Sequence, residues 1–149
     1  MELEIAFTTR RDGVHIAYGT MGQGPPIVYP PGAFSRLELE MRRGADFFDA
    51  LAKDHTLVSW DRHGVGHSDR NRTDFTFEDD VLDMEAVIDA LKLDRFPVFG
   101  ISDGGPIAIK YASRHLERVS CLVLYGTAAS NESNAPARHA LAELMRNDW

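Results

Sequence analysis

The chain has 149 residues, 44% of them hydrophobic and 26% charged, enough apolar material for one domain with a buried core. Acidic residues outnumber basic ones 23 to 16, a formal net charge of −7, which excludes a phosphate-binding face of clustered Lys and Arg and with it a nucleic-acid partner. The single cysteine, Cys121, excludes an intrachain disulfide and a Cys-based zinc site, MELEIAFTTRR lacks a signal-peptide pattern, and no run approaches the roughly 18 apolar residues of a membrane span, so a reducing, cytoplasmic setting is expected.

LEIAFTT and GVHIAYGT alternate in strand fashion around Arg11, Asp12 and Gly13, which predicts an opening hairpin. PPIVYPP follows as a short strand bracketed by prolines. From Leu37 to Lys53 a weak helical period would put Phe47, Phe48, Leu51 and Ala52 on one face. HTLVSW reads as a buried strand ending at Asp61. A helix begins near Thr76, which stands three residues before Asp79 in capping-box fashion; Val81, Met84, Ile88 and Leu91 form its buried stripe. Phe96 to Ile101 is an apolar strand, and GGPIAIKYASRH follows it directly with helical spacing at Ile107, Ala108, Tyr111 and Ala112. RVSCLVLYG reads as another buried strand. This alternation predicts an α/β fold, a mostly parallel sheet with helices on both faces.

Gly100-Ile101-Ser102-Asp103-Gly104 is a G-x-S-x-G motif placed between a predicted strand and a predicted helix. An abrupt strand-to-helix turn forces its central residue into strained backbone space, and glycines two positions to either side remove Cβ atoms that would strike the neighbouring strand and helix. The turn exposes the Ser102 hydroxyl above the sheet edge, with the helix N-terminus behind it to stabilise a developing oxyanion. Asp103 as nucleophile would need glycine at 101 and 105; Gly105 fits and Ile101 does not. The bland alternative is that Ser102 caps the helix. In YPPGAFS, Gly32 would let the chain approach the serine, so that the Ala33 N–H could join that of Asp103 in an oxyanion hole; a plain proline-glycine turn is the alternative. DRHGVGHSD, residues 61–69, predicts a tight turn near the same edge.

PPGAF, DRHGVGHSD, GISDGG and RHLERVSCLVLYGT, in that order, resemble the N-terminal half of the α/β-hydrolase fold family over residues 1–128. DGVHIAYGTMGQGPPIV, the stretch from Leu82 to Gly126 and LAELMRNDW are similar to hydrolase-like domains attached to adenylate cyclases or helix-turn-helix regulators. Where many relatives have His-Gly in the oxyanion loop this chain has Pro31-Gly32, and the family's Asp-x-Arg-Gly turn appears as Asp61-Arg62-His63-Gly64. The resemblance implies a core over 1–128 and the start of a cap over 129–149. It also implies a triad acid after a later strand and a histidine after the last one, neither of which has a counterpart after Ser102.

Of the six histidines, His15, His55 and His115 suit structural roles at strand and helix ends, and His139 falls in the cap segment. His63 and His67 lie in the loop expected at the functional edge, although catalysis by either is the minor reading. Their four-residue spacing suits a metal pair only on a helix, which Gly64 and Gly66 oppose, so neither metal nor cofactor is expected. Glu78, Asp79, Asp80, Asp83 and Glu85 read as a solvated face at a helix start. GTMGQG reads as a plain loop. A chain ending at Trp149 would leave CLVLY as an uncovered sheet edge, so the expectation is an N-terminal fragment of a serine hydrolase for an ester, lactone or similar acyl substrate. The alternatives are a non-catalytic sensor of a small acyl ligand joined to an effector domain, and a second chain that completes the sheet.

Overall fold

The computed structural model describes residues 2–32, 36–71, 76–129 and 143. Residues 33–35, 72–75, 130–142 and 144–149 lie outside this set, and with them the oxyanion-donor expectation at Ala33, His139 and most of the segment expected to begin a cap. Six strands form one sheet: β1 (Leu3–Thr9), β2 (His15–Met21), β3 (Pro26–Val28), β4 (Thr56–Trp60), β5 (Phe96–Ile101) and β6 (Val119–Tyr125). Their order across the sheet is β1-β2-β4-β3-β5-β6. The expected hairpin is present, with β1 antiparallel to β2 and Leu3 opposite Met21. β2 runs antiparallel to β4, and from there β4, β3, β5 and β6 are parallel.

Among the described residues four helices cover the sheet: α1 (Leu37–Arg43), α2 (Ala45–Ala52), α3 (Phe77–Ala90) and α4 (Gly104–Arg114). Because strand side chains alternate, each central strand feeds two cores. Val28, Val58, Trp60, Phe96 and Val98 pack with Met84, Val87 and Ile88 of α3 and with Ile107, Ala108 and Tyr111 of α4. On the opposite face Leu57 and Tyr29 join Leu37, Met41, Phe48 and Ala52 of α1 and α2, with Phe99 and Ile101 of β5 packed alongside. The α3 start is a capping box: the Thr76 hydroxyl accepts from the Asp79 N–H, and the Asp79 carboxylate accepts from the Thr76 N–H.

Two expectations are corrected. The segment 37–53 is two helices broken at Gly44, whose N–H closes α1 on the Glu40 carbonyl; Phe48 and Ala52 are buried as expected, whereas Phe47 is 45% exposed. β6 is not a buried strand. It occupies the sheet edge, pairs only with β5 among the described residues, and leaves Val123, Leu124 and Tyr125 at 47%, 43% and 70% exposure.

Candidate active site

β5 ends at Ile101, α4 starts at Gly104, and the two residues between make the turn. Ser102 has φ +49°, the left-handed region that an L-residue enters at a cost of about 1–2 kcal/mol. Its side of the turn is exposed, while Gly104 to Ala108 behind it are buried. The N-cap of α4 is Asp103, not Ser102, and the Asp103 side chain makes no capping hydrogen bond. Among the described residues the Ser102 hydroxyl caps no helix N–H, and it is the Ser102 backbone carbonyl that accepts from the Gly105 N–H in the first turn of α4, at 3.1 Å.

Sterics account for the flanking glycines. A Cβ on Gly100 would lie 2.8 Å from the Gly105 Cα and 3.0 Å from the Ala108 Cβ, as expected for a strand pressed on the following helix. A Cβ on Gly104 would overlap the Pro30 carbonyl oxygen. The loop that follows β3 is thus seated directly against the elbow, with Gly32 half-buried two residues further on. This loop is anchored at both ends: before it the Tyr29 N–H donates to the Val58 carbonyl (2.8 Å) and the Tyr29 hydroxyl donates to Glu40, and after it the Leu37 N–H donates to Asp61 Oδ1 (2.7 Å). Burial, then the Glu40 carboxylate, raise the Tyr29 pKa well above the usual phenol range, so the hydroxyl remains a donor.

The loop after β4 is built around the same Asp61, which is buried. Its Oδ2 accepts from the His67 N–H (2.8 Å), and its own backbone carbonyl accepts from the Ser68 hydroxyl (2.6 Å). A side chain at Gly66 (φ +55°) would overlap the Asp61 carboxylate. Asp61 is thereby a structural clasp. His67 is exposed, with Nε2 3.4 Å from Glu38 Oε2. His63 is buried, with both its N–H and Nδ1 on Asp83 Oδ2, at 2.9 and 2.8 Å. His15 lies by Thr9, and His115 by Glu85 and against the Tyr111 ring. Among the described residues no side chain hydrogen-bonds the Ser102 hydroxyl.

The acidic stretch of α3 is the main departure from the sequence reading. Asp79, Asp80 and Asp83 are buried rather than solvated, Asp83 completely. Arg10, also buried, reaches Asp79 Oδ1 (2.7 Å), Asp83 Oδ1 (2.8 Å) and Asp12 Oδ2 (2.7 Å), and Arg62 binds both carboxylate oxygens of Asp80. Burial works against the Arg10 charge, but its hydrogen bonds to Asp79, Asp83 and Asp12 outweigh that and raise its pKa. Burial likewise opposes ionisation of Asp79, yet hydrogen bonds from Thr76 and Arg10 pull its pKa down to about 2. For Asp80 burial wins over Arg62, and its pKa is raised. His63, Asp80 and Asp83 each offer a ligand atom within 4.8 Å of the others, the one described grouping close enough to share a metal ion. Arg10 and Arg62 already supply the positive charge those carboxylates need.

The family model described as alpha/beta hydrolase fold matches residues 25–148. The chain belongs to the α/β-hydrolase fold family. The chain is 30% identical over 122 residues to the human protein named serine hydrolase BPHL, an alignment that spans 79% of this chain and 41% of that protein. A solved hydrolase from Pseudomonas aeruginosa superimposes with a TM-score of 0.81 at 22% identity, covering 97% of this chain and 54% of the other, which is a likeness of fold. An esterase from Exiguobacterium antarcticum superimposes with a TM-score of 0.71 at 30% identity, covering 83% and 46%. The chain thus spans about two fifths of the length of the curated relatives it matches.

Of the residues singled out from sequence, the structure brings Gly100, Ser102, Asp103, Gly104 and Gly32 to one end of the sheet. Two neighbours, Gly105 and Thr127, have a role there that the sequence pattern does not show. Gly105 matters because a Cβ there would overlap the Thr127 hydroxyl, and Thr127 Oγ1 donates to the Ser102 carbonyl at 2.6 Å. The second glycine of Asp103-Gly104-Gly105 was the only sequence signal for that contact.

Proposed function

We propose that this α/β hydrolase acts on an ester, lactone or similar small acyl substrate, with Ser102 as nucleophile. The observation that carries the reading is the left-handed, exposed Ser102 in the turn between β5 and α4, wedged by Gly100 and Gly104 against its neighbours. Strain of this kind persists where surrounding structure enforces it, and here it presents a hydroxyl at the N-terminal end of α4. A human relative named as a serine hydrolase and a structural neighbour named as an esterase support the same chemistry.

In the proposed reaction Ser102 Oγ bonds to the acyl carbon while the Asp103 and Ala33 N–H groups hold the oxyanion. The bond to the leaving group then breaks as that group takes a proton. Water attacks the acyl-serine, regenerates the hydroxyl and releases the carboxylic acid. A serine needs a base to lose its proton, and none of the described histidines is hydrogen-bonded to the Ser102 hydroxyl, so we place the base and its orienting acid outside residues 1–149. They would lie in a continuation of the same polypeptide beyond a cap begun at 129–149, or in a second chain completing the sheet beyond β6. An attached effector domain and a cytoplasmic setting belong to the same proposal.

The test is fluorophosphonate labelling of the protein as isolated from its source, with the modified peptide identified by mass. Modification at Ser102, lost in Ser102→Ala together with ester turnover, is expected. A correctly folded protein that hydrolyses esters with Ser102 replaced would refute the assignment, and binding without labelling would mark a ligand sensor instead.

A further inference from the structure

The elbow residue is held in its strained conformation from three directions. Its N–H donates to the Tyr125 carbonyl of β6 at 3.2 Å, and its carbonyl accepts from the Gly105 N–H at 3.1 Å and from Thr127 Oγ1 at 2.6 Å. The first two are backbone bonds that any residues at those positions would offer. The third depends on one side chain, two residues past the end of β6, and it is the shortest of the three.

Gly105 gives the reason that Thr127 can reach. A Cβ at 105 would overlap Oγ1 and crowd the Cβ and Cγ2 of Thr127, both at 2.5 Å, so the threonine occupies the space that a side chain on the first turn of α4 would fill. Glycine at 105 is therefore explained without a carboxylate nucleophile at Asp103. The hydroxyl bonds to a backbone oxygen and leaves the Ser102 Oγ untouched, which sets Thr127 apart from the reacting groups.

We propose that Thr127 is a positioning residue for the nucleophile: its hydroxyl, carried at the end of β6 and admitted by Gly105, fixes the Ser102 peptide in the left-handed turn. The inference rests on the assignment of Ser102 as nucleophile. If the carbonyl loses this donor, the turn can relax toward ordinary backbone geometry and swing Oγ away from its attack position. Sub-ångström to ångström misplacements of a reacting atom cost large factors in rate, whereas one hydrogen bond at a half-exposed site costs little stability.

Thr127→Val keeps the shape of the side chain and removes the donor; Thr127→Ser keeps the donor and removes a methyl group. Both are compared with the parent protein, as isolated from its source, by the second-order rate of fluorophosphonate labelling at Ser102, in which an Oγ–phosphorus bond forms as fluoride leaves. The melting temperature is read alongside. Thr127→Val is expected to slow labelling roughly 10- to 100-fold, and Thr127→Ser to restore most of it. Both should melt within about 5 °C of the parent. Gly105→Ala, which displaces the threonine without altering it, should slow labelling as Thr127→Val does and serves if the valine variant does not fold. Labelling of folded Thr127→Val or Gly105→Ala at the parent rate overturns the inference while leaving Ser102 as nucleophile, as does a serine variant as slow as valine. A parent protein that resists labelling at Ser102 overturns both assignments together.

Discussion

Replacing Arg10 with methionine tests whether the buried charge network is a structural keystone. The side chain is 2% exposed and holds two nearly or wholly buried carboxylates, Asp79 and Asp83, together with the half-exposed Asp12. The Asp12 pair faces solvent and contributes at most about 1 kcal/mol. Stranding the buried carboxylates is the larger loss, about 3–5 kcal/mol for breaking a buried pair by removing one partner. Against a domain stability of about 5–15 kcal/mol this is a large fraction, and at a urea dependence of about 2 kcal/mol per M it lowers the midpoint by about 2 M. Equilibrium urea unfolding of the native protein and Arg10→Met, followed by tryptophan fluorescence of the buried Trp60, measures it. Adding Asp83→Asn removes a stranded charge while its amide oxygen still accepts from the His63 N–H, so the double variant should recover at least about 1 kcal/mol relative to Arg10→Met. A midpoint shift below about 0.3 M for Arg10→Met, or a double variant weaker by the full sum of the two single losses, would refute the account.

Other consequences are narrower. Asp79 has its folded pKa depressed to about 2 from an ordinary 3.8, so its stabilisation is complete above pH 3.8 and is lost as pH falls through 2; the shift is worth about 2 kcal/mol. Thermal melts between pH 5 and 2 should show that loss, with a flatter profile in Asp79→Asn. Asp61→Ala strands the Leu37 and His67 N–H groups and should cost about 2–5 kcal/mol, with faster hydrogen exchange at Leu37; protection equal to the parent would contradict the clasp. Thr76→Ala removes one half of the α3 capping box and should cost about 1 kcal/mol by chemical denaturation.

What could be read from the sequence was local. The hairpin, the Thr76 cap and the strand-serine-helix junction each announce themselves within a few residues, by alternation, by a three-residue spacing or by glycines around one hydroxyl. The Asp79–Asp83 stretch misled because a carboxylate at a helix start looks the same whether it meets water or a guanidinium, and Arg10 stands 69 and 73 residues away in the chain. β6 misled for a related reason: an apolar strand announces faces that pack, but not whether the packing partner is among the same residues. The contact of Gly104 with Pro30 was likewise invisible. Gly104 fits the motif on its own, and only folding reveals that its missing side chain makes room for a different strand's loop.

That contact crosses the middle of the sheet. β3 is three residues long and is registered with β5 through one pair, Val28 and Val98, so the hairpin, β4 and β3 meet β5 and β6 along a seam with few backbone bonds. The serine rides on one side of this seam and the Pro30–Gly32 loop on the other. Their separation is therefore an adjustable distance, set by how closely two slabs of sheet are allowed to lie, with Gly104 as the thinnest shim between them. Thickening the shim by a single methyl group, or trimming Val28 or Val98 within the seam, would change the gap between nucleophile and oxyanion loop while leaving the internal geometry of each slab intact.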